Sequence, residues 1–347
     1  MPRSFLAFAV VTLLPLPLLL AGALFGGWAP WLALAYVTLV MAGIDEFQPA
    51  LSYDGEAAEQ DEADLLSQML AGTHLVLLLI TIWSLAGGGP GLFSLSGIAL
   101  FLGAGLFFGQ VSASNAASLV HRQEPQMRML GTALYISLLS GHRATVEPYV
   151  HHVYVGTKHD PMTSHEGESL WQYLPRALLG GLRTAVKVEK HRRASSDLPI
   201  WHLSNPLLQY AGGAVAMLLA ALLVAGPGGL VVFILLCAFA QLQMTIRDFI
   251  QHHGLTRALE ANGQYVTVNA THSWNAPHWL SALWMLNATR HSDHHANPAG
   301  PYTQRAAPPR GQVPTLPHSL PVMAGIALHP PTWRKVMAPH LEAWRDA

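Results

Sequence analysis

Four short stretches of this chain carry residues able to hold a metal ion. The first ends in Ala117-Ser118-Leu119-Val120-His121-Arg122. The second is Glu147-Pro148-Tyr149-Val150-His151-His152. The third is Gln251-His252-His253-Gly254-Leu255, and the fourth is Arg290-His291-Ser292-Asp293-His294-His295-Ala296. Residues three and four apart share one helical face. His291, His294 and His295 stand at i, i+3 and i+4, and Glu147 and His151 stand at i and i+4. Neutral imidazole ligates iron, copper, nickel and zinc. One such cluster on its own is more often a surface accident. Several of them, each just beyond an apolar stretch, are expected to converge on one site, as in helical-bundle metalloproteins. His272, His253, His142 and Asp293 are further candidates, as ligands or as groups that orient them. The remaining histidines read as loop or surface residues, except His74, which falls inside an apolar stretch.

The elements that position these clusters are membrane helices. The chain has 347 residues, of which 51% are hydrophobic and 11% charged. Soluble domains carry about a quarter charged residues. Six apolar stretches lie at about 5–25, 28–43, 66–86, 91–111, 207–225 and 228–246. Each approaches the ~20 residues needed to cross a bilayer. They fall into three pairs joined by tiny Gly/Pro turns, such as Gly226-Pro227-Gly228-Gly229. Three hairpins put the N-terminus, residues 44–65 and 112–206, and the tail after 247 on one side. All 19 Lys and Arg lie on that side, which makes it cytoplasmic. The expected fold is all-α: a single membrane-bound domain over 1–347. Its first four helices lie in 1–111, a histidine-box region in 112–206, two more helices in 207–246 and the last boxes in 247–347.

Composition also excludes function classes. A net charge of −1 leaves no basic field for nucleic acid. The single Cys237 excludes a disulfide framework or a multi-thiolate site within the chain. A metal-transport pathway would place ionisable residues inside the stretches, and only His74 lies there. The acidic segment 44–65 reads as a solvated loop.

Arg290–Ala296, Gln251–Leu255, Thr271-His272-Ser273-Trp274-Asn275 and Pro330-Pro331-Thr332-Trp333-Arg334-Lys335-Val336-Met337 together resemble the boxes of the bacterial alkane 1-monooxygenase family. That family lies within the membrane fatty acid desaturase/hydroxylase superfamily. The resemblance implies six membrane helices in an inner membrane and a non-haem diiron centre held by histidines. It also implies O2 activation, hydroxylation of an alkane or related lipophilic substrate, and electrons from a rubredoxin. Carried over residue by residue, the implied metal ligands are His121, His151, His152, His252, His291, His294 and His295. Glu147 stands where the family has a histidine and is an eighth candidate. Two departures stand out. Ala117 replaces the first box's first histidine, and Ser118 replaces its glutamate. The retained ligands suffice for at least one metal. The alternative expectation is a non-catalytic paralogue of the same fold that acts as a membrane binding or regulatory protein.

Overall fold

A computed structural model of the chain describes residues 3–47, 59–196, 198–199, 201–306 and 311–344. The fold is all-α. Among the described residues five helices are long and apolar enough to cross a membrane: Ser4–Phe25, Ala29–Phe47, Gln60–Gly88, Leu95–Leu119 and Pro206–His252. The last has 47 residues. Straight, it would measure about 70 Å at 1.5 Å per residue, more than twice a bilayer core. It is not straight. Ala225 leaves the helical region at φ −146° and ψ 22°, and Gly226 has φ 62°, a positive value that favours glycine. The chain breaks there into two runs, matching the two apolar stretches read from the sequence. Both ends return to one place. Tyr210 near the start meets the Thr145 hydroxyl at 3.0 Å, and Asp248 near the end pairs with Arg143 at 2.9 Å.

Polar residues lengthen the third and fourth spans beyond their apolar cores. Gln60–Gly88 starts well before residue 66 because Glu59 and Glu62 form a capping box at its N-terminus. Leu95–Leu119 continues past 111 through a π-helical turn at Phe107–Ser112, carrying Ser114, Asn115 and Ser118 inward. His74 is fully buried and ties these elements together. Its Nδ1 lies 2.9 Å from Ser112 Oγ, and its Nε2 lies 2.7 Å from Ser137 Oγ. It is a packing histidine.

The acidic segment is not simply a solvated loop. Asp45 is completely buried and accepts hydrogen bonds from the Leu280 and Ser281 amides at 2.9 and 3.0 Å. It thereby caps the helix Trp279–Trp284. Glu46 accepts from the Ser319 amide at 2.7 Å. Asp64 pairs with Arg122. Asp45 and Glu46 clamp the second span to the C-terminal third of the chain, and Asp64 ties the third span to the end of the fourth. Asp54 and Glu56 lie outside the described residues.

Candidate metal centre

Every histidine cluster sits where a span ends or a short helix begins. His121 follows the fourth span by two residues. His151 closes a π-helical turn, Glu147–His151, and His152 opens the next turn. Such widened turns recur at functional sites. His252 is the last residue of Pro206–His252. The chain then turns at Gly254, left-handed at φ 71°. His291, His294 and His295 share the inner face of the short helix His291–Ala296. That helix is locked to the sixth membrane run by a relay. Gln251 Nε2 donates to Ala288 O at 2.7 Å, and the Trp274 amide donates to Gln251 O at 2.8 Å. Asn275 Nδ2 donates to Ser292 Oγ at 2.7 Å.

The rings meet in two groups. His151, His252, His291 and His295 form one, and His121, His152 and His294 form the other. Within each, the donor atoms all lie within 4.8 Å of one another. His252 Nε2 is 2.9 Å from His291 Nε2, and His295 Nε2 is 3.3 Å from His291 Nε2. In the second group, His152 Nε2 is 3.1 Å from His294 Nε2. Two nitrogens each about 2.1 Å from one ion, at a normal coordination angle, lie about 3.0–3.4 Å apart. The donor set therefore fits a first-row metal. His121 Nε2 is buried without a hydrogen-bond partner, as an atom awaiting a ligand bond would be. The groups adjoin, since the His152 and His295 rings stack at 4.4 Å.

Burial keeps most of these rings neutral. It pushes His121 down to about 3, with Arg305 and His151 acting in the same direction. It holds His152, His291, His294 and His295 well below the ordinary value. Neutral rings have lone pairs free for a metal. His151 differs. Burial lowers it, but the Asp160 carboxylate, with Asp248 and Glu147 acting in the same direction, raises it on balance. Asp160 is itself buried and lies 2.9 Å from His151 Nδ1. It fixes the ring with Nε2 facing the group, as carboxylate partners of metal-bound histidines do. Asp160→Asn should weaken metal binding about 10–100-fold, measured by competition against a chelator. Unchanged affinity would remove Asp160 from this role.

Other candidate residues lie elsewhere. Glu147 joins neither group. Its Oε1 accepts from Tyr135 Oη at 2.6 Å and from Arg143 Nε at 3.0 Å. Asp293 does not touch a ligand ring. Two residues on from His291, it points off the inner face, and its Oδ2 accepts from the Ala306 amide at 3.1 Å. His272 Nδ1 accepts from the Asn269 amide at 3.0 Å and caps its own turn. His142 is half-buried and outside both groups, and His278 is buried although the sequence suggested a surface position. His253 packs its ring against Phe249 and Trp333, at 4.9 and 5.2 Å. Asp160, Arg143, Arg247 and Arg305 escaped the sequence reading. Only Asp160 left a signal there, an Asp-Pro turn nine residues after His151.

His253 makes a pH prediction. Burial pushes it down to about 4, with Glu168 opposing and His165 assisting. The unfolded ring titrates near 6.5. The stability tied to the neutral ring is therefore complete above about pH 6.5 and is lost as pH falls towards about 4. His253→Phe keeps a ring in the slot and removes the proton site. The fall in unfolding temperature between pH 7 and pH 5 should be smaller in His253→Phe than in the wild-type chain. An equal fall would refute the assignment.

Membrane helices converging on paired multi-histidine groups form a membrane scaffold with donor sets able to hold metal. The sequence profile of the fatty acid desaturase family matches residues 115–308, and the chain belongs to that family. Alkane 1-monooxygenase 1 of Alcanivorax borkumensis is 28% identical over 92% of this chain and 80% of its own length. An alkane 1-monooxygenase of Pseudomonas putida is 29% identical over 81% of this chain and 69% of its own. The hydroxylase component of a xylene/toluene monooxygenase from Pseudomonas putida is 26% identical over 65% and 59%. Within its family, this chain is accordingly a multi-pass, monooxygenase-like oxidoreductase.

Proposed function

We propose that the chain is a membrane non-haem iron monooxygenase that hydroxylates an alkane or a related lipophilic substrate. The observation that carries this reading is the meeting of seven imidazoles from four separate stretches in two adjoining groups. His151, His252, His291 and His295 would hold one iron, and His121, His152 and His294 a second. Iron bound there would supply O2 activation. In the overall reaction a C–H bond and the O–O bond break. One oxygen enters the alcohol, and the other leaves as water with two electrons and two protons. The electrons would come from a rubredoxin-type donor.

An apolar cavity of about 490 Å³ supports a lipophilic substrate. Its walls include Val37, Leu106, Phe239, Ile246 and Ile250 from the spans, and Leu320 from the C-terminal region. Arg247 lines both this cavity and a smaller one bordered by His151, His152, His291 and His294. The chain's own residues would thus hold an apolar substrate against the metal side and keep bulk water from it. The confinement of Lys and Arg to the long connections supports a cytoplasmic centre on a bacterial inner membrane.

The test is purification in detergent, iron analysis, and turnover of n-octane under 18O2 with reduced rubredoxin. Two irons per chain and label in octanol are expected. Protein without iron, or octanol without label, would sink the reading. One observation favours a non-catalytic paralogue: Ala117 offers no donor beside the group of three. On that reading Ala117→His with Ser118→Glu should create activity absent from the wild type.

A further inference from the structure

Between the two histidine groups, bordered by His151 and His291 of one and His152 and His294 of the other, lies a small cavity of about 30 Å³. One water-sized group needs about 10–15 Å³ on this measure, so the space takes roughly two. Its wall includes Ala117, Arg143, Glu147, Arg247, Asp248 and Arg305, together with His294. The charges there do not balance. Three guanidiniums face two carboxylates, and Arg143 engages both of those carboxylates. None of the ion pairs among the described residues includes Arg247 or Arg305.

Both arginines are nevertheless buried, at 8% and 4% exposure. Arg247 Nη1 donates to Ser114 Oγ at 2.7 Å. Among the described residues Arg305 Nη2 reaches only Ser118 Oγ, at 3.5 Å, and its Nε is buried with no partner. Burial pushes Arg305 down to about 10; Asp293 and Tyr302 oppose this, and the nearby Arg247 charge adds to it. Ala117 presents only a methyl group. Unpaired buried cations are costly, and guanidinium forks match planar oxyanions.

We propose that Arg247 and Arg305 bind a carboxylate-type oxyanion in this cavity, next to His294. The anion is either free and small or the head group of a chain lying in the apolar cavity that Arg247 also lines. The proposal rests on the monooxygenase reading only in placing this anion at a reaction centre. Capture by the two guanidiniums stands apart from it.

The test uses the purified full chain in detergent, with iron measured on every sample. Labelled acetate and labelled dodecanoate are the probes, in equilibrium dialysis. Saturable binding of one probe molecule per chain is expected. It should weaken at least tenfold in Arg247→Gln and in Arg305→Gln. Ala117→Glu puts a tethered carboxylate into the cavity and should abolish binding of the probes while raising the unfolding temperature. Equal affinities for the two probes assign a free anion. Dodecanoate bound at least tenfold tighter assigns a chain-bearing carboxylate. Absence of saturable binding to the wild-type chain overturns the proposal, whether or not the variants fold. So does undiminished binding in Ala117→Glu. Anion binding by protein that takes up no iron would uphold this site and sink the monooxygenase reading.

Discussion

His295→Ala should lower bound iron and cut n-octane turnover by more than about a hundredfold. The size follows from the position of the ring. His295 belongs to the group of four, with Nε2 3.3 Å from His291 Nε2. Its ring also stacks on His152 of the other group at 4.4 Å. Loss of an outer partner of a ligand costs about 10–100-fold in affinity or activity. Loss of a ligand shared in this way with its neighbours should cost more. His121→Ala is the informative comparison, because His121 contacts only the group of three. It should reduce iron from two per chain to one and leave the four-histidine group loaded. Metal content is the primary readout, since activity alone also falls when a protein is merely destabilised. Full iron in His295→Ala would remove His295 from the set of residues that hold the metal.

The sequence showed the spans and the histidines but not what holds them. Hydropathy locates all six membrane runs because lipid demands about 20 apolar residues from each. It misplaces their polar ends. Asp61, Glu62 and Asp64 read as loop, yet they form the first turns of Gln60–Gly88, where acidic residues suit a helix N-terminus. The histidine clusters are legible because i, i+3, i+4 spacing is local. Their supports are not local. Arg305 reaches Ser118 across 187 residues, Arg247 reaches Ser114 across 133, and Asp45 caps residue 280 across 235. No pattern in a single sequence brings such partners together. Glu147 shows the opposite error. Its spacing from His151 resembles a ligand pair, but a guanidinium four residues earlier claims it first.

That guanidinium makes the second large prediction. Arg143→Met should destabilise the folded chain by about 3–5 kcal/mol, the usual cost of removing one partner from a buried ion pair. Arg143 is buried and donates Nε to Glu147 Oε1 at 3.0 Å. Its Nη1 and Nη2 form a fork on Asp248 at 2.9 and 3.2 Å. It joins the π-helical turn that carries His151 to the end of the sixth run that carries His252. Removing it strands two carboxylates in a cavity that His151 borders. The cost should therefore come mainly from the unpaired charges and less from the lost contact. This distinction is testable. A triple replacement, Arg143→Met with Glu147→Gln and Asp248→Asn, removes the charges together and should recover most of the lost stability. Denaturant midpoints in detergent, compared for the wild-type chain, the single variant and the triple variant, read both effects. If the triple variant is as unstable as Arg143→Met, the fork acts by shape and hydrogen bonding, and charge neutralisation is not what holds the two ligand-bearing elements together.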